Sequence, residues 1–209
     1  MFRFALLTAL FLLSLNSANA QAVRQVADPE RVFAALRKAS GAVSSIQATF
    51  KEAKYLSVLN QPKNSSGIFY YKKQDKMRWE QKAPVSYVII INGDRLRVQE
   101  AGKEKNVGQA GRMAAQIKEL MIGLVNGDFQ QNKAFAQSCQ ESDDQYFVTL
   151  TPVNRRLKNI YTKITMVFPK NTLRLKELSF FEKNGDKSVM NFSNEKLNLS
   201  IDDGLFVNL

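Results

Sequence analysis

A chain of 209 residues without a single histidine lacks the commonest general base, the commonest zinc ligand and every Ser-His or Cys-His pair. Cys139 is the only cysteine, so no internal disulfide can form. The net charge of +11 favours anionic partners.

The N-terminus reads as an export signal. Arg3 precedes an apolar run from Phe4 to Leu15, and Ala18-Asn19-Ala20 follows as a small-x-small cleavage site. The run is shorter than the ~20 residues a bilayer span requires. The alternative is an uncleaved anchor helix. No second run reaches spanning length. The expectation is a signal peptide over residues 1–20 and one periplasmic, soluble, monomeric domain over residues 21–209, a normal domain size. For an exported chain, nucleic acid is an improbable partner. An anionic membrane surface or an acidic protein face suits the charge, and so do lysines that merely keep the protein soluble. Cys139 is expected as a half-buried strand residue.

Asp28-Pro29-Glu30 opens the first ordered element: Asp28 can cap, Pro29 suits the first helical position and Glu30 complements the dipole. Val32, Phe33, Leu36 and Ala39 recur at helical spacing until Gly41. From Val43 the period becomes two, with Ile46, Ala48 and Phe50 alternating with polar residues. Gln61 to Gly67 is a turn-rich break. Strands follow at Ile68–Tyr71, Met77–Glu80 and Val85–Ile91, and Asn92-Gly93 is the strongest hairpin signal, leading to Leu96 and Val98. Residues 108–125 switch to a wide apolar helical face, stopped by Asn126-Gly127. Further strands are expected at Tyr146–Leu150, Tyr161–Phe168, Leu175–Phe181 and Ser188–Phe192, with a weaker one over Asn198–Leu209 and a helical turn within Asn154–Asn159. The fold class is mainly β with α: a long antiparallel sheet that curls into an incomplete barrel, covered by a helical lid.

No G-x-S-x-G, phosphate loop or metal-ligand cluster occurs. The doublets Asp143-Asp144 and Asp202-Asp203 are poor acid/base pairs, because neighbouring strand residues point to opposite faces. No cofactor, metal or catalytic residue is expected, and the chain does not read as an enzyme. The apolar inventory points elsewhere. Fourteen Phe, six Tyr and six Met on alternating strands give more apolar face than two or three helices can cover. Both a cavity and an ordinary closed core fit that pattern. Met113 and Met121 on the covering helix suit variable apolar ligands, since Met repacks easily.

The stretch Gly67 to Pro84, GIFYYKKQDKMRWEQKAP, with the Asn92-Gly93 turn and Leu96, resembles the outer-membrane lipoprotein carrier family, the LolA family. Trp79, Pro84 and Gly93 stand at matching positions. Ser45–Phe50 is similar to the first strand of that family and Phe147–Pro152 to the strand after its lid. The resemblance implies a lid over an apolar cavity that takes the acyl chains of lipoproteins. It also implies two partners, an inner-membrane release transporter and an outer-membrane receptor. It implies a lid latch in the turn after the Gly-led strand, where Lys73 replaces the family arginine, Met77 the turn phenylalanine, and Arg78 keeps a common residue beside the tryptophan. Lys lacks the planar fork of Arg, which makes the expected latch looser. The Phe-x-Phe-x-Pro ending of the family is only partly present at Phe206-Val207-Asn208.

On that basis the lid face is expected to comprise Met113, Ile117, Leu120, Met121, Leu124 and Val125, and the lipid-binding wall Phe50, Phe69, Tyr71, Trp79 and Ile90. Three rivals share the pattern. A lipid sensor or carrier of another lipid would use the same fold, usually with a second domain. An anchored receptor would need Cys where Gln21 stands. An envelope-lipid enzyme would need a nucleophile motif.

Overall fold

The computed structural model of the chain describes residues 22–73, 75–106, 123 and 133–209. The proposed signal peptide and, apart from Gly123, the helix expected over 108–125, with all six of its lid residues, lie outside the described residues.

In chain order the elements are β1 (Arg24–Gln25), α1 (Pro29–Gly41), β2 (Ser45–Tyr55), β3 (Lys63–Lys72), β4 (Lys76–Ala83), β5 (Tyr87–Asn92), β6 (Arg95–Glu100) and β7 (Lys103–Lys105). Then come β8 (Phe135–Glu141), β9 (Gln145–Pro152), α2 (Arg155–Lys158), β10 (Tyr161–Pro169), β11 (Glu177–Glu182), β12 (Lys187–Leu197) and a 3-10 turn at Asp203–Phe206. The described strands form one antiparallel sheet in the order β1-β8-β9-β10-β11-β12-β2-β3-β4-β5-β6-β7. It is two meanders joined side by side, with β12 paired to β2 at the seam, where Phe192 faces Phe50 and Lys187 faces Tyr55. The end strands β1 and β7 are not paired to each other, so the sheet curls without closing.

Helix α1 forms as its sequence dictates. The Asp28 carboxylate accepts a hydrogen bond from the Arg31 N–H at 3.1 Å, Pro29 opens the first turn, and Val32, Phe33 and Leu36 are buried. They belong to one core cluster with Ile46, Ala48, Phe50, Val148, Met166 and Leu178. The helix leads from edge strand β1 to central strand β2, and its buried residues share that cluster with inner-face residues of β2, β9, β10 and β11.

Alternation sorts each strand onto two faces. The cross-strand register places Phe50, Phe69, Trp79 and Ile89 on one face, and Met190, Leu178, Met166 and Val148 continue it beyond the seam. This is the inner face. Gly67, opposite Phe50 in that row, has no side chain to displace the ring: a Cβ there would lie 2.7 Å from Phe50 Cζ and 2.0 Å from the Glu80 carbonyl oxygen.

Several expectations are corrected. Strands β1 and β7 are not anticipated, and β8 is anticipated only as a strand at Cys139, without bounds. The break expected from Gln61 to Gly67 is mostly strand, because Lys63–Ser66 find backbone partners in Lys51–Lys54 of β2. The hairpin turns at Gly93-Asp94, one residue later than read, with Asn92 paired to Arg95 and Gly93 at a φ of 56°. The last strand expected over Asn198–Leu209 is instead an irregular segment with a 3-10 turn, which packs on the outer face of β4 and β5 and buries Phe206. Asp202 to Gly204 bend it, and four cationic side chains hold it. Lys72 and Lys76 bind Asp203 at 2.8 and 3.0 Å, Arg78 donates to the Leu205 and Asn208 carbonyls at 3.1 and 2.6 Å, and Arg97 donates to the Val207 carbonyl.

Candidate lipid-binding cavity

Among the described residues, the inner face leaves a space on its β4–β6 side. A cavity of about 370 Å³ lies between Met77, Trp79, Ile89, Ile91, Leu96 and Val98 on one wall and Tyr161, Phe180 and Met190 on the other. Leu96 on β6 and Tyr161 on β10 stand seven strands apart in the sheet order, so only the curl of the sheet brings them to one space. The volume falls within the ~300–1,000 Å³ of ordinary ligand pockets.

Trp79 in its wall belongs to an aromatic cluster. Phe50 stacks on Trp79 with ring centroids 3.8 Å apart, and Phe69 and Phe192 meet Trp79 edge-on at 6.1 and 6.2 Å. Phe69 and Phe192 also line a second, much smaller space of about 50 Å³ near the end of α1. Trp79, Phe69 and Phe192 therefore stand between the two spaces.

Polar groups gather where β2 ends and β12 begins. Lys54 pairs with Glu182 at 3.2 Å, and Glu52 accepts a hydrogen bond from the Ser65 hydroxyl at 2.8 Å. Gln81, Tyr87 and Ser188 complete this mouth. Burial raises the Tyr161 and Tyr87 phenols above their ordinary range, with Glu182 and Glu100 adding to it, so both stay neutral donors. A space with an apolar interior and a polar mouth can hold an amphiphile with its tail inward. Among the described residues, no cluster of His, Cys, Asp and Glu could hold a metal ion.

The expected wall residues divide. Phe50, Phe69, Tyr71 and Trp79 are buried on the inner face, and Trp79 itself lines the larger cavity. Ile90 does not belong there. It pairs with Arg78 on the outer face and is sealed under the C-terminal segment, while Ile89 and Ile91 face the cavity. The turn residues also part company. Met77 is a cavity-wall residue. Arg78 is buried on the outer face, bound to Glu80 and the C-terminal carbonyls, so it anchors the chain end. Lys73 donates to the Gly41 carbonyl at 2.6 Å, a cation placed at the C-terminus of α1.

Ile89, Ile91, Leu96, Val98, Tyr161, Phe180 and Met190 were missed. One signal could have found two of them. The two-residue turn after Asn92 pairs Ile91 with Leu96, so the apolar alternation of β6 fixes the inward face of β5.

No curated protein sequence matches the chain. Among solved structures, it is similar to a DUF1329 family protein from Desulfovibrio piger, at 11% identity over 84% of this chain and 94% of that one, TM-score 0.49. It is also similar to a LolA superfamily protein from Nitrosomonas europaea, at 15% identity over 84% and 96%, TM-score 0.44. A third is the lipoprotein LppX of Mycobacterium tuberculosis, at 11% identity over 84% and 99%, TM-score 0.44. The model of the family described as outer membrane lipoprotein carrier protein LolA matches residues 41–208, four-fifths of the chain, and the protein therefore belongs to the LolA family.

Proposed function

We propose that the protein is a periplasmic carrier that takes lipoprotein acyl chains into the 370 Å³ cavity and moves them from the inner to the outer membrane. The observation that carries this reading is the apolar interior with its polar mouth, in a chain of the lipoprotein carrier family. The physical act is shelter of hydrocarbon from water, at ~0.8 kcal/mol per buried CH₂. No covalent step is involved, and the reading makes the chain a binding protein and not an enzyme. An inner-membrane transporter would load it, and an outer-membrane receptor would unload it by offering a better site.

The test is release. The protein is mixed with inner-membrane vesicles carrying labelled lipoproteins, with the energised release machinery present. A soluble one-to-one complex of carrier and lipoprotein supports the proposal. Uptake of free lipid without lipoprotein release would replace it with a carrier or sensor of another lipid, and substrate turnover would replace it with an enzyme.

A further inference from the structure

The loops that frame the cavity mouth expose apolar side chains in a group. In the β2–β3 connection Val58 is 86% exposed and Leu59 46%, next to Tyr55 at 47%. Val85, in the β4–β5 connection at the same end, is 48% exposed. Scattered exposed residues of this kind need no explanation, but four at one end of a molecule do.

Their exposure is built in. Leu59 N–H closes a tight turn on the Leu56 carbonyl at 2.9 Å, and Ser57 N–H is held by the Asp186 carboxylate at 2.9 Å. The β11–β12 turn thus holds the loop through Ser57, and Val58 beside it stands in solvent.

Lysines surround these tips. Lys63 lies across from Lys54, Lys187 lies across from Tyr55, and Lys183 sits in the adjoining turn. Lys187 and Lys163 lie over the Phe181 ring at 5.1 and 4.6 Å, which keeps their ammonium groups beside apolar surface. The acidic groups nearby are engaged locally, Glu182 by Lys54 and Asp186 by the loop backbone. Apolar tips ringed by lysine and aromatic side chains match the boundary between acyl chains and anionic headgroups.

We propose that the mouth rim, with Val58 and Leu59 inserted and Lys63, Lys183 and Lys187 on the headgroups, docks reversibly on an anionic phospholipid surface. The docking site faces the cavity mouth toward the bilayer, so a tail can pass between bilayer and cavity without crossing water. That consequence rests on the carrier reading; the docking itself does not.

The test is flotation with vesicles, using the protein in the form that cells accumulate. Wild-type protein is expected to bind phosphatidylethanolamine–phosphatidylglycerol vesicles in a salt-sensitive way and to bind phosphatidylcholine vesicles far more weakly. The double variant V58D/L59D should bind the anionic vesicles at least about tenfold more weakly. The variant K63E/K183E should lose the salt sensitivity. Val23→Asp, at a site about as exposed as Leu59 and at the opposite end of the sheet, should change nothing. Unaltered Trp79 fluorescence shows that each variant is folded. Wild-type binding by V58D/L59D would overturn the proposal, as would binding only to vesicles that contain membrane protein. A fluorescent fatty-acyl probe separates the two readings. Failure of the wild type to take up the probe, with vesicle binding intact, sinks the carrier and leaves the docking surface standing.

Discussion

Gly67→Ala is the smallest change that tests the inner face. Three atoms stand where the new methyl group would go: the Glu80 carbonyl oxygen at 2.0 Å, Phe50 Cζ at 2.7 Å and Gln81 Cα at 2.8 Å. Two of the three belong to the β4 backbone, which cannot swing aside as a side chain can. Overpacking of this kind costs ~1–3 kcal/mol. Loosening the pairing of Gly67 with Gln81 adds about 1 kcal/mol for a hydrogen bond. The loss of freedom in the unfolded chain returns ~0.4–1 kcal/mol. The net expectation is a loss of about 2–3 kcal/mol, or roughly 5–10 °C in Tm for a domain of this size. Trp79, the sole tryptophan, stacks on Phe50 beside this position, so urea unfolding followed by its fluorescence reads the change directly. Adding Phe50→Ala removes only the ring contact and should not rescue the stability that the backbone clash costs. An unchanged or raised unfolding midpoint for Gly67→Ala would refute the packing argument.

Four further outcomes are expected. Ile89→Asp places a charge in the cavity wall and should weaken binding of a fluorescent acyl probe at least about tenfold, whereas Ile90→Ala on the outer face should cost ~2–4 kcal/mol of stability and leave probe stoichiometry intact. Arg78→Ala removes two hydrogen bonds to the chain end and should cost about 3 kcal/mol, with faster amide exchange at residues 205–208 and unchanged exchange in β9 and β10. Hydrogen bonds from Lys72 and Lys76 hold the Asp203 carboxyl below its ordinary 3.8, so its contribution is complete above that pH and is lost as pH falls through the lowered value; acid should loosen the chain end only below pH 3.8, and Asp203→Asn should abolish that dependence. Burial pushes the Cys139 thiol up to about 11, so iodoacetamide should label it only after unfolding, and rapid labelling of the native protein would contradict its placement.

Much of the sheet was legible because most strands have one buried face. Ile46, Ala48 and Phe50 alternate with polar residues, and the strand around them was read correctly. The Val88–Ile91 run hid its inward face for a definite reason. The C-terminal segment covers the outer side of β5, so Ile90 is as buried as Ile91 and the period of two disappears from the sequence. That cover was itself unreadable, since Ile201, Leu205 and Val207 carry the alternation of a strand while Asp202 to Gly204 turn it back. Strand β8 was legible only at Cys139, and its extent was not, because Phe135 and Cys139 are its only buried residues. The role of Arg78 was equally hidden: its partners are backbone carbonyls some 130 residues away, which no local pattern encodes. Cys139 was expected half-buried and is fully buried.

The pairing of β12 with β2 sets an order on the birth of the molecule. β2 is the first long strand to be made and β12 the last. Until Leu197 exists, Trp79 and Tyr161 belong to two separate meanders, and the space between them is not enclosed. Contacts so distant in sequence form late and slowly. A chain that stops before β12 therefore exposes two greasy half-sheets instead of one sheltered interior. The protein that is proposed to shield hydrocarbon must itself be kept from aggregating until its final strand arrives.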